Sequence, residues 1–140
     1  MSGNDAGITA KLASFIVKTD EKDIPPWAYD HAKVAFMDWL AVTFAGKDDP
    51  LVKILIDYAD IIGGKKQATI IGYHMKKDVS SAALINASAS HTLDYDDTLV
   101  SFFGHPSVTI FPSLSTSIGT FCGKSRRLSW NWMSTAPWQG

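Results

Sequence analysis

Residues 79–107 read VSSAALINASASHTLDYDDTLVSFFGHPS, and the change of character at His91 governs how the chain is read. Up to His91 the run is dominated by Ala and Ser. Side chains this small let another helix or a ligand come close to the backbone. From His91 the stretch HTLDYDDTLVSFFGHPS packs His91, Asp94, Asp96, Asp97, Thr98 and His105 into 15 residues. Carboxylates this close repel one another and are costly to bury without partners. A purely structural loop seldom needs that. Its plainer interpretation has Asp96 or Asp97 capping a turn and the histidines bonded to backbone. For the cluster as a whole, chemistry is the better expectation.

Outward from this stretch the chain reads as helices. Asp5 to Lys18 is a helix candidate with Ile8, Leu12, Phe15 and Ile16 on one face at 3.6-residue spacing. Pro25 and Pro26 suit the opening of a second helix. Its stripe is Ala28, Ala32, Ala35, Phe36, Trp39, Leu40 and Thr43, with Gly46 as its stop. Pro50 opens a third helix carrying Leu51, Leu55, Tyr58 and Ile62, which ends at Gly63-Gly64. Gln67 to Gly72 (QATIIG) predicts one short strand, with Tyr73 to Lys77 as a polar turn. His105-Pro106 opens a last helix through about Phe121, with Ile110, Leu114 and Ile118 on one face. Pro112 is expected to bend it or delay its start. The fold class is therefore mainly α, with at most one or two short strands. Arg126 to Gly140 (RRLSWNWMSTAPWQG) follows neither period, so residues 1–125 are taken as the domain and 126–140 as an atypical tail. Tyr73, His74 and His31 read as surface or packing residues.

The totals narrow the classes of function. The chain has 140 residues, 46% hydrophobic and 19% charged, which suits one domain with a core. Its 13 basic and 14 acidic residues lack the basic excess of a nucleic-acid binder. No apolar run reaches the roughly 18 residues of a membrane span. The N-terminus lacks a signal-peptide pattern. A single cysteine, Cys122, rules out an internal disulfide and a cysteine-held iron–sulfur cluster. A reducing cytoplasmic setting fits best.

Three chemistries compete for the cluster. Asp94-Tyr95-Asp96-Asp97-Thr98 resembles the DxDxT motif of aspartate-dependent phosphatases, but that motif follows a hydrophobic strand and Asn86 to Leu93 has no strand signal. A divalent-metal site could be drawn from His91, Asp94 and His105, whose ligand types are suitable. The third is acid–base chemistry beside an anion site. A helix starting near His105-Pro106 aims N–H groups and the positive end of its dipole at the aspartates. A substrate carboxylate would bind there, with hydrogen bonds from Thr98 and Ser107. Asp94 or His105 would then remove a proton next to that carboxylate.

The order His91-x-x-Asp94-Tyr95-Asp96-Asp97-Thr98, followed by His105-Pro106-Ser107, resembles the signature of the MmgE/PrpD family. His31-Ala32-Lys33 through Asp38-Trp39-Leu40 to Ala45-Gly46 is similar to the family's first long helix. Ala68-Thr69-Ile70-Ile71-Gly72 is similar to its A-T-V-x-G segment. Ala82-Ala83-Leu84-Ile85-Asn86-Ala87 is similar to its A-A-x-x-N-G helix. The resemblance runs over roughly residues 5 to 125.

What it implies is a helical N-terminal domain that normally continues for several hundred residues into an α+β lid. Members include 2-methylcitrate dehydratases, cis-aconitate decarboxylases and iminodisuccinate epimerases, which use no metal or organic cofactor. The resemblance maps the active-site aspartate to Asp94, the threonine to Thr98 and the loop histidine to His105, with His91 in support; Ser107 is expected to bind substrate on the residue reading alone. It implies a small carboxylic-acid substrate and a homodimer for the full-length family. A histidine and lysines from later in the family's chain are absent, so the 140 residues are expected to be a fragment inactive alone. The alternative is a non-catalytic helical remnant or dimerisation module.

Overall fold

The computed structural model describes residues 7–101 and 103–121. Five helices and one two-stranded sheet make up the described residues: α1 (Ile8–Lys18), α2 (Pro26–Gly46), α3 (Pro50–Ile62), β1 (Ala68–Thr69), β2 (Lys76–Lys77), α4 (Val79–His91) and α5 (Pro106–Phe121). The fold is mainly α, as the helical periodicities predict. No helix among the described residues is long and apolar enough to cross a membrane. The tail predicted at 126–140 lies outside the described residues.

The chain divides into two compact units, Met1–Val34 and Ala35–Gly140. In the first unit α1 buries none of its residues, and its predicted face of Ile8, Leu12, Phe15 and Ile16 is exposed. A short 3₁₀ turn, Glu21–Asp23, follows it, closed by a reciprocal capping box between Asp20 and Asp23.

In the second unit the core is Val52, Ile56 and Ala59 of α3, Ala68 and Ile70 at the hairpin, and Ala82, Ile85 and Ala89 of α4. Of the stripe expected on α3, only Leu55 packs against this core, partly buried. Leu51, Tyr58 and Ile62 face outward, and the buried line runs through Val52, Ile56 and Ala59. This helix is apolar on both sides, so its period alone does not say which side packs. Asp49 caps it by accepting the Leu51 N–H at 2.8 Å.

β1 and β2 pair antiparallel, Ala68 opposite Lys77 and Thr69 opposite Lys76. The second strand falls in the segment expected to be a turn. The reversal between them passes through Gly72 at φ 81, where a Cβ would lie 2.5 Å from Lys47 Cδ. The positive φ favours glycine here, whereas the flexible Lys47 side chain could shift aside. Asn86 of α4 fastens this hairpin: its Oδ1 accepts the Ile71 N–H at 2.9 Å and its amide donates to the Thr69 carbonyl at 3.0 Å. It is 1% exposed, so both bonds replace water that the side chain has lost. Lys77, also buried, pairs with Asp60.

α4 packs most extensively on α5, and α3 lies against α4. The C-terminal half of α2 joins through aromatic contacts. Phe36 and Trp39 meet Phe111 with ring centroids 5.3 and 5.7 Å apart. Gly46, the last residue of α2, meets the end of α4 so closely that a Cβ there would sit 2.1 Å from the Ala89 carbonyl oxygen and 2.6 Å from Thr92 Oγ1. The close approach expected of the Ala/Ser helix is realised here. Pro112 is accommodated inside α5 without delaying its start.

Candidate functional site

The site forms where α4 ends and α5 begins. Thr92 N–H bonds to Ser88 at 3.0 Å and Asp94 N–H to His91 at 2.9 Å, which turns the chain off the helix. Asp94 takes φ 49 in this turn. Aspartate tolerates that left-handed conformation better than most residues. The loop then closes on itself, Leu99 N–H to Gly104 O at 2.8 Å, and delivers His105 back beside His91. The two imidazoles lie edge to face, centroids 4.7 Å apart.

Asp96 lies between them. Its side chain is 1% exposed. His91 Nδ1 is 3.1 and 3.2 Å from its two carboxylate oxygens. His105 Nδ1 is 3.3 Å from Asp96 Oδ2, close enough for an ion pair but not aligned for a hydrogen bond, so that buried nitrogen lacks a hydrogen-bond partner. The other ring nitrogen, Nε2, looks toward Asp94 Oδ1 at 3.8 Å. Asp94 itself is 82% exposed and His91 half-exposed, so the cluster opens to solvent on one side.

Asp97 faces the other way. It accepts the Ser107 N–H at 3.1 Å and the Ser107 hydroxyl at 2.7 Å. Its carboxylate thus sits at the N-terminus of α5, in the place expected for a substrate anion. The helix dipole favours a negative charge there, and the chain supplies its own. The capping role weighed for Asp96 or Asp97 belongs to Asp97.

Of the residues expected to act, the structure brings His91, Asp94 and His105 together. Ser107 is buried and engaged with Asp97. Thr98 is exposed on the loop, with no hydrogen bond to the cluster among the described residues. Asp96 was the residue whose role sequence reasoning did not single out. Its five-residue spacing from His91 was visible, but neither helix nor strand periodicity tells which of Asp94, Asp96 and Asp97 turns inward.

Such an arrangement can hold and move protons. A buried carboxylate beside Nδ1 fixes how an imidazole is turned, and leaves Nε2 to face a reacting group.

Residues 10–121 match the MmgE/PrpD N-terminal domain. The chain belongs to the MmgE/PrpD family. The match spans the hairpin, the α4 helix and the whole His91–Ser107 loop. No curated protein matches the chain.

Proposed function

We propose that this domain carries the acid–base part of a lyase-type site for small di- and tricarboxylic acids, working without a metal or organic cofactor. The observation that supports it is the Asp96-centred pair of histidines opening onto Asp94. In such a reaction a base removes the proton on the carbon next to a carboxylate. The electron pair left behind forms a double bond as water leaves the neighbouring carbon, or it takes a proton back on the opposite face. In a decarboxylation carbon dioxide leaves and the carbon is protonated. Dehydration needs a base for that proton and an acid that protonates the departing hydroxyl, epimerisation needs a base and an acid on opposite faces, and decarboxylation needs a proton donor, so each uses a group that gives or takes a proton beside the carboxylate.

His105 has the geometry for that group, with Asp96 behind Nδ1 and Nε2 turned outward. Asp94 would position the proton or exchange it. Thr98, exposed on the same loop, would bind a substrate carboxylate, and His91 would hold Asp96 in place. Ser107 would contribute through Asp97, by keeping the loop docked on α5. The phosphatase alternative lacks its scaffold, because the segment before Asp94 is α4 rather than a strand.

The test is ligand-observed NMR of the 140-residue chain with citrate, 2-methylcitrate and cis-aconitate in chelator-treated buffer. Binding lost on His105→Ala, with the circular dichroism of the native chain retained, is the expected result. Binding unchanged by His105→Ala would overturn it. A second reading, a non-catalytic module that pairs with another copy, draws on the exposed α3 face of Leu51, Ile54, Tyr58 and Ile61. Sedimentation showing only monomer at high concentration would count against it.

A further inference from the structure

We infer that His91, Asp94, Asp96 and His105 form a binding site for a divalent transition cation of the zinc class, as an occupant that competes with proton exchange and not as a cofactor. The inference stands on the ligand set and does not rest on the acid–base reading. Each of the four residues offers one ligand atom, and the four atoms lie within 4.8 Å of one another. Bonds of about 2.0–2.1 Å to a tetrahedral ion require ligand atoms roughly 3.3–3.4 Å apart. Asp96 Oδ2 lies 3.2 Å from His91 Nδ1 and 3.3 Å from His105 Nδ1, so that one oxygen already has about that spacing to both imidazoles. Only the wider pairs must close, by at most about 1.5 Å at the 4.8 Å limit. Asp94 is free to close in, since its side chain is 82% exposed on a turn.

Charge supports the same conclusion. Two carboxylates and two neutral imidazoles neutralise a dication. The buried Asp96 carboxylate is now faced by imidazoles, without a backbone N–H donor among the described residues. The buried Nδ1 of His105, without a hydrogen-bond partner, is a free donor atom for an ion. Two nitrogens and two oxygens exclude magnesium and calcium, which take all-oxygen shells, and the lack of thiolates excludes copper(I). Zinc, or cobalt(II) as its spectroscopic substitute, fits. The same four groups cannot hold a cation and exchange protons at once.

The test is titration of the full chain with Co²⁺, read by its visible d–d absorption, and with Zn²⁺ in competition with a chromogenic chelator. One ion per chain in a tetrahedral Co²⁺ spectrum is expected. Loss of an outer-shell partner typically weakens a metal site about 10–100-fold, so His105→Ala and Asp94→Asn should each cost ~100-fold or more. Asp94 is exposed, so its variant separates lost ligation from lost folding. The exposed His31 and His74 control for adventitious binding. His31→Ala combined with His74→Ala should leave the affinity unchanged. No stoichiometric uptake, or uptake that survives both site variants or vanishes in the His31/His74 variant, would overturn the inference. Carboxylate binding is measured free of metal, so failure here leaves the proposed function standing, and failure there leaves the metal site.

Discussion

The two ends of α4 both carry aspartates, and the two ends use them differently. At the N-terminus Asp78 accepts the N–H groups of Ser80 and Ser81, each at 3.1 Å. At the C-terminus Asp96 faces two imidazoles, and Asp94 stands exposed beside them. The first carboxylate satisfies backbone donors that the helix leaves unpaired, which is structural work. The second meets imidazole rings, whose nitrogens can either donate or accept a hydrogen bond. Burial does not separate the two roles, and neither does residue type. Partner chemistry does. Asp97, next to Asp96 in sequence, behaves like Asp78, because its partners are the N–H and hydroxyl of Ser107.

If this contrast is right, damage on the structural side should appear as lost stability. The largest loss is expected at Gly46, whose contact with Ala89 and Thr92 fixes the end of α4 that carries His91. Gly46→Val places carbon against a backbone oxygen that cannot rotate away, and should cost about 3 kcal/mol in urea unfolding. Asp97→Ala removes both acceptors from the buried Ser107 and should cost about 2 kcal/mol. Asp78→Ala removes a helix cap and should cost about 1 kcal/mol.

The Asp78 effect also has a pH signature. The Ser81 hydroxyl first, then the N–H groups of Ser81 and Ser80, hold its carboxyl below the ordinary value of 3.8. A depressed carboxylate stabilises the fold above its unfolded pKa, and that contribution is lost as pH falls through the lower folded value. The stability gap between the native chain and Asp78→Ala should therefore be constant near neutrality and shrink below about pH 4. A gap that widened on acidification would show that Asp78 is not the cap the geometry describes.

Much of this was legible in the sequence, and the gaps have physical reasons. Helix ends were readable because Pro26 and Pro50 suit a first turn and Gly46 and Gly63 suit a stop. The burial side of α3 was not, because Leu51, Ile54 and Tyr58 are as apolar as Val52, Ile56 and Ala59. α1 has a clear apolar stripe and buries nothing, whereas α4 has little amphipathic pattern and supplies Ala82, Ile85 and Ala89 to the core. Periodicity reports the side chains, but burial depends on what is placed opposite them. The site loop was legible as a cluster because its chemistry is local. Its internal assignment was not, because the loop leaves the helix through a left-handed turn at Asp94, where neither helix nor strand period says which aspartate turns inward.

That residue also gives the smallest stability effect and the sharpest test of the contrast. Asp94→Asn keeps the size of the side chain and a residue type that tolerates the left-handed turn, so the backbone has no reason to move. The carboxylate it replaces is 82% exposed, and its nearest ionic neighbour, His105 Nε2, is 3.8 Å away. Exposed ion pairs of this kind are worth little, so unfolding free energy should change by no more than about 0.5 kcal/mol. Carboxylic-acid and cation titrations, by contrast, should both respond, because Asp94 lies at the open mouth of the cluster. Stability lost without any change in either titration would move Asp94 to the structural side, beside Asp78 and Asp97. Stability kept with either titration altered would place it with Asp96, among carboxylates whose partners are there to exchange something.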